Sequence, residues 1–202
     1  MNPEQIPGTA DVVRLLERAF GDTAARLAAV PAEGWDADSP CAGWTVRHVA
    51  AHLVGGLSLV ERYAREEPID AAEADGTRAA DLGLLGDDPA KAFRSAAERC
   101  AATFAAFGPL DREVPFVIGR TPGFLLTRVC LLESLVHGWD IAHGSGTPYR
   151  VDAEVVGAVA AFAHEGPIEE RRAAGMFGPE LAAGPDDSAF NRLLAFLGRR
   201  NS

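Results

Sequence analysis

The chain has no long hydrophobic run, no cysteine pair at metal- or disulfide-type spacing, no cluster of positive charge and almost no strand-like alternation. Each absence closes a class of function. No apolar run reaches the roughly 18 to 20 residues needed to cross a bilayer as a helix. The start, Met1 to Ala10, carries Pro, Gly and Glu where a secretory signal has a basic and then an apolar stretch. A cytoplasmic protein without membrane association is expected. Cys41, Cys100 and Cys130 are odd in number, widely spaced and without a CxxC motif, which fits reduced thiols rather than a disulfide frame. The net charge of -10, with Arg scattered rather than clustered, argues against a phosphate-binding surface and so against nucleic acid as a partner.

What is present is helical periodicity. With 202 residues and 48% hydrophobic content, the chain suffices for one core, and a single domain over 1–202 is expected, with a bundle at about 10–166 and a C-terminal extension at about 167–202. Val12, Leu15, Leu16, Ala19, Phe20, Ala24 and Leu27 recur at three-and-four spacing, predicting a first helix from Asp11 to Val30. Pro31 to Gly43 reads as a turn-rich connection. Thr45 has the character of an N-cap, with Trp44 before it placed to staple onto Val49, for a second helix running to about Arg65. Glu66 to Gly86 reads either as a loop or as a short helix. Asp88-Pro89 marks the start of a third helix through Phe93, Cys100 and Phe107, closed by Gly108-Pro109. Glu113 to Gly119 is the one extended piece expected. Thr121 and Pro122 cap a fourth helix reaching His143, which Gly144 to Pro148 terminates. Asp152 to His164 and Ser188 to Leu197 complete the helices. The sum is an all-α, up-and-down four-helix bundle with extra short C-terminal helices.

The fourth helix carries the chemistry. It is mostly apolar from Phe124 to Ile141, yet Glu133 and His137 stand one turn apart in its middle. At about 100° per residue from Glu133, His137 falls at about 40°, Asp140 at about -20°, Leu126 at about 20° and Val129 at about -40°. The polar trio therefore shares a face with core residues, and buried ionisable groups require partners. On the second helix His52 shares its face with Val49, Gly56, Leu59, Val60 and Tyr63 and also points inward. Two histidines and one carboxylate form a three-ligand set that leaves positions open, the pattern of catalytic rather than structural metal sites. A Glu-His hydrogen bond that only orients the bundle is the alternative for this trio.

Several neighbours enter the reading. His48, one turn before His52, makes an HxxxH pair and stands as a second candidate ligand or a polar neighbour at the pocket mouth. Asp140 suits either a partner for a ligand imidazole and its proton or a capping carboxylate. Gly55 and Gly56 cost a helix interior roughly 1 kcal/mol each relative to Ala and offer space beside His52, for a ligand or for a packing helix. Trp139 reads as a packing anchor and Cys130 as a small hydrophobe.

Gly43-Trp44-Thr45-Val46-Arg47-His48-Val49-Ala50-Ala51-His52-Leu53-Val54-Gly55 and Glu133-Ser134-Leu135-Val136-His137-Gly138-Trp139-Asp140-Ile141-Ala142 resemble the two signature segments of the mycothiol-dependent maleylpyruvate isomerase metal-binding domain, within the DinB-like superfamily. Arg192 to Arg199 is similar to the tail of its single-domain, actinobacterial-type members. The resemblance implies a DinB-like four-helix bundle holding one divalent metal, usually zinc, through the positions of His52, Glu133 and His137, with His48 at a variable position. It also implies a low-molecular-weight thiol cosubstrate, such as mycothiol or bacillithiol, acting on a small electrophile. The full isomerase has an additional C-terminal domain that helps form its active site, and this chain ends at Ser202, so a reaction other than maleylpyruvate isomerisation is expected. The leading expectation is thus a metal-dependent thiol S-transferase or isomerase-like enzyme, monomeric or homodimeric. A hydrolase using metal-activated water, a non-haem iron oxygenase and a metal-binding module without turnover are the rivals.

Overall fold

Four long helices supply the frame. The computed structural model describes residues 8–70, 72–74 and 83–200. Among these, α1 spans Thr9–Ala29, α2 Val46–Ala64, α3 Pro89–Ala105 and α4 Gly123–Gly144. The residues between Glu66 and Gly86 that are described form turns and irregular chain, and residues 71 and 75–82 of that stretch lie outside the described residues, as do 1–7, 201 and 202. Every described helix is too short or too polar to cross a membrane.

The helix starts follow from local chemistry. Thr45 accepts the His48 backbone N–H on its hydroxyl while the His48 ring returns to the Thr45 backbone, a reciprocal cap that satisfies two otherwise orphaned donors. At α3, the Asp88 carboxylate accepts from Lys91 N at 2.9 Å and Pro89 occupies the first turn. The entry to α4 departs from the sequence reading. Thr121 does not cap it: its hydroxyl donates to Gly119 O at 3.1 Å, and the N-cap is Pro122, whose extended backbone carries no side-chain acceptor. The extended piece is also longer than expected, because Glu113–Phe116 (β1) folds back antiparallel onto Gly119–Pro122 (β2), with Val117 and Ile118 exposed at the tip. Gly119 takes the positive φ of 106° at which this turn re-enters β2, a conformation that favours glycine.

The principal helix contacts are α1 with α3, α1 with α4, α2 with α3 and α2 with α4. Helices consecutive in the chain within the pairs α1/α2 and α3/α4 are therefore not the main neighbours, and the connections that join them carry structure of their own: a 3-10 turn at Ala32–Asp36 before α2, and the hairpin before α4. Phe93, Phe104, Leu16, Leu27, Leu53 and Leu126 are fully buried between these helices. Glu61 is buried as well, a costly placement for a carboxylate that ion pairs with Arg65 at 3.0 Å and Arg99 at 3.1 Å offset, the latter tying α2 to α3. Helix α4 is apolar around nearly its whole circumference, as befits a helix enclosed on all sides.

The chain divides into two compact units, Met1–Arg150 and Val151–Ser202. In the second unit α5 (Ala153–Glu165) starts at Asp152, whose carboxylate accepts from Glu154 N and Val155 N, α6 spans Ile168–Ala173, and α7 (Ala189–Phe196) packs on α5 with the His164 and Phe196 rings 4.0 Å apart.

Two glycines on α4 mark close approach. A Cβ on Gly144 would lie 2.8 Å from Asp38 O and 2.8 Å from Val46 Cγ2, so the end of α4 rests directly on the segment leading into α2. A Cβ on Gly138 would lie 2.6 Å from the Tyr149 hydroxyl, which donates to Leu135 O at 2.9 Å, and 3.1 Å from Thr23 Oγ1. Gly138→Ala is therefore expected to lower stability by about 1–3 kcal/mol through overpacking. Gly21→Ala on α1, where a Cβ meets nothing within 4 Å, should instead raise it by about 1 kcal/mol. Urea denaturation of both variants checks the pair of signs.

Candidate metal centre

The polar residues of α4 meet α2 across one interface. Glu133 Oε2 lies 3.2 Å from His137 Nε2, one turn along α4, and 3.3 Å from His52 Nε2 on α2. The two imidazoles stand edge to face, centroids 5.2 Å apart at 85°. Ligand atoms of His52, Glu133 and His137 all fall within 4.8 Å of one another, so the structure brings together the three side chains singled out from the sequence. The side chains are 24%, 35% and 14% exposed respectively, which leaves one side of the cluster open to an incoming molecule.

Asp140 is not a surface or capping carboxylate. Its side chain is fully buried and its Oδ2 lies 2.8 Å from His137 Nδ1, so the imidazole is held at one nitrogen and presents the other, Nε2, toward Glu133. Trp44 packs edge-on against His52 with centroids 5.1 Å apart. Trp139 is buried and stacks on His143 at 4.7 Å, away from the cluster, in keeping with a packing role. His48 turns back to Thr45, its Nδ1 2.8 Å from the Thr45 hydroxyl, and is exposed; the geometry uses it as a cap rather than as a ligand.

Cys41 was invisible as a site residue in the sequence. Its thiol donates to Asp140 Oδ2 at 3.3 Å and lies 3.8 Å from His137 Nδ1, so Cys41, His137 and Asp140 form a second group with metal-ligand character behind the first. The thiol is delivered by a tight loop. Asp38 bridges Thr45, Ser39 N donates to Trp44 O at 2.9 Å, Trp44 N donates to Cys41 O at 2.9 Å, and Gly43 adopts a φ of 78°. None of the three cysteines is in a disulfide, and Cys100 and Cys130 are buried with their sulfurs 3.9 Å apart. The Cys130 thiol is pushed well up by its contact with Cys100 and by burial, which keeps it protonated and unreactive.

The cluster is electrostatically self-consistent. Burial pushes the Glu133 carboxyl upward, but hydrogen bonds with His137 and His52 and their charge outweigh it and hold the acid well below the usual carboxylate range. For His137 burial acts to lower basicity, yet Asp140, Cys41 and Glu133 together raise it well above the ordinary imidazole value. In the metal-free protein the site is thus a carboxylate and an imidazolium backed by Asp140. The donor set is chemically suited to a divalent cation: two imidazole nitrogens and one carboxylate, the His137 imidazole held by the fully buried Asp140 through its remote nitrogen.

A four-helix bundle that gathers such a candidate ligand group between α2 and α4 is consistent with an all-α, DinB-like fold. The chain belongs to the mycothiol maleylpyruvate isomerase N-terminal domain family, whose model matches residues 16–142, a span that contains all four helices of the bundle except the first turns of α1 and the last two residues of α4. It is also 30% identical over 185 residues to two uncharacterized proteins of Mycobacterium tuberculosis, from strains CDC 1551 / Oshkosh and ATCC 25618 / H37Rv, covering 91% of this chain and 94% of each relative. No solved structure matches the chain.

The two pKa displacements set a pH window for the metal-free protein. The depressed acid contributes stability present above about pH 4.5 and lost as pH falls through its folded value; the raised imidazole contributes stability present below about pH 6.5 and lost as pH rises through its folded value. The cluster should therefore stabilise the metal-free fold most between about pH 4.5 and 6.5. Denaturation midpoints measured from pH 4 to 9 should fall on the alkaline side, and His137→Gln should flatten that fall.

Proposed function

We propose that the protein is a metal-dependent thiol S-transferase, joining a low-molecular-weight thiol of the mycothiol type to a small electrophile. One observation carries the reading: a helix-borne His-Glu-His set converges at the edge of a cavity of about 210 Å³ that His52 and Glu133 themselves line. Family membership suggests the thiol class, and a set of two histidines and one glutamate is one by which catalytic zinc is held.

His52, Glu133 and His137 are the residues that would hold the ion, His52 from α2 and the other two from α4. Bound there, a divalent cation supplies positive charge that favours thiolate over thiol, lowering a thiol pKa otherwise about 8.5. Asp140 keeps a proton on His137 Nδ1 and so fixes which nitrogen faces the site. Cys41 occupies a further lone pair of that buried carboxylate, and Trp44 limits rotation of the His52 ring. The cavity receives the electrophile against largely apolar walls. The thiol loses its proton to solvent, the sulfur pair forms the new S–C bond, and the electrophile either expels a leaving group with its bonding pair or takes up a proton on the adjacent carbon.

The ligand assignment is tested before the activity. His52→Ala and Glu133→Gln should each lose most of the bound metal measured by elemental analysis, while circular dichroism remains helical; full metal retention by both variants would remove the centre. Because His137 is protonated in the metal-free protein, zinc uptake should release a proton and its apparent affinity should rise with pH between about 6 and 8. Zinc-loaded protein given mycothiol and a panel of electrophiles should consume thiol, and His137→Ala should reduce that rate at least 100-fold; an unaltered rate counts against catalysis at this site and leaves a binding module.

A further inference from the structure

The cavity beside the cluster has a defined shape. His52, Gly56 and Val60 lie one turn apart along α2 and form one wall; Val129 and Glu133, one turn apart on α4, form the other. The far end is closed by Tyr63 and Phe116, whose rings meet edge to face with centroids 5.1 Å apart, and by Val117 of the hairpin. Among the described residues that line it, the only charged or imidazole groups are His52 and Glu133, both at the end nearest the cluster. A molecule placed there meets polarity at one end and hydrocarbon along its length.

Gly56 is the position that keeps the space open. A Cβ built there meets nothing within 4 Å although the residue sits in the middle of α2, one turn beyond His52. Close approach of another described element would put atoms near that Cβ, as the Tyr149 ring does at Gly138 and the Asp38–Ser39 segment does at Gly144, so such an approach does not account for the glycine. The empty volume beside it belongs to the cavity. An apolar cavity of roughly 150 Å³ accommodates a benzene ring. About 210 Å³ takes one ring or a branched chain with a few additional atoms.

We propose that this cavity is the binding subsite for the body of the electrophile, that it selects an uncharged molecule with a single aromatic ring or short branched hydrocarbon body, and that Gly56 sets the length of body accepted. The inference rests on the thiol-transferase reading for the identity of the occupant, while the binding itself is independent of turnover. The reactive carbon lies at the His52–Glu133 end and the hydrocarbon runs between Gly56 and Val129 toward Tyr63 and Phe116. A carboxylate-bearing molecule of the same size gains no cation from the described residues along this path and meets the Glu133 carboxylate at its mouth.

The test measures binding without requiring catalysis. Toluene, ethylbenzene, naphthalene and benzoate are titrated into the full-length, metal-loaded protein and followed by chemical shifts of the Tyr63, Val60 and Val129 side chains. Toluene and ethylbenzene should bind with these residues perturbed, benzoate at least tenfold more weakly, and naphthalene more weakly than ethylbenzene. Gly56→Leu should weaken ethylbenzene at least tenfold with metal content unchanged, and Gly56→Ala, which has room for its methyl, should weaken it less. Should Gly56→Leu fail to fold, Val129→Phe narrows the cavity from the opposite wall and is expected to give the same loss. Equal binding of benzoate and toluene, or an ethylbenzene affinity indifferent to both narrowing variants, overturns the proposal. If instead the ligand trio holds no metal while these affinities behave as expected, the thiol-transferase reading fails and the apolar subsite stands.

Discussion

A carboxylate with no exposure to water, Asp140, anchors the site. It cannot stay charged in a helix interior without donors, and it draws them from two directions: the Nδ1 of His137 on its own helix and the Cys41 thiol from the loop before α2. With one nitrogen of His137 committed, the other faces Glu133, and Glu133 in turn lies against His52 on the opposite helix. The register between α2 and α4 is thereby specified by a polar chain rather than by hydrocarbon packing alone, which tolerates sliding more readily. The stabilising consequence and the functional one share an origin: donors held in place for folding reasons are donors already oriented for a cation.

Much of the frame was legible in the sequence because amphipathic periodicity and capping chemistry are local. Thr45, Asp88 and Asp152 perform as N-caps where their types predict it, and the helices they open follow within a few residues of the expected spans. The trio His52, Glu133 and His137 was legible for a different reason: three polar groups on otherwise apolar helix faces are conspicuous, since burial without partners is costly. The structure brings their ligand atoms together. What periodicity could not supply is anything that depends on chain segments with no period. Cys41 lies in a turn-rich stretch with no helical face to assign it to, and only the bridge between Asp38 and Thr45 aims its thiol at Asp140. Its nearness to the Gly43-Trp44-Thr45 segment was the one available signal. His48 shows the converse difficulty. Its spacing from His52 is that of a ligand pair, but in the first turn of a helix the backbone competes for the ring, and here the backbone has it. The β-hairpin was half seen: Gly119 read as the end of an extended piece is in fact the turn at which β2 begins.

The site also divides its labour between two kinds of surface. The cluster end is polar, partly open and electrostatically coupled, whereas the cavity walls beyond it are hydrocarbon from two helices and a hairpin. The polar cluster and the hydrocarbon walls along Gly56 and Val129 are thus two chemically distinct parts lining one cavity.

The bare backbone of Gly144 gives the design a mechanical corollary. Because the end of α4 lies directly on Asp38 and Val46, the loop that carries Cys41 is clamped between the terminus of one ligand-bearing helix and the start of the other. Fraying at that corner would release the thiol, the buried acid and the helix dipole together. The corner thus behaves as a latch: opening it undoes the contacts among Cys41, His137 and Asp140 together, as one local cooperative event.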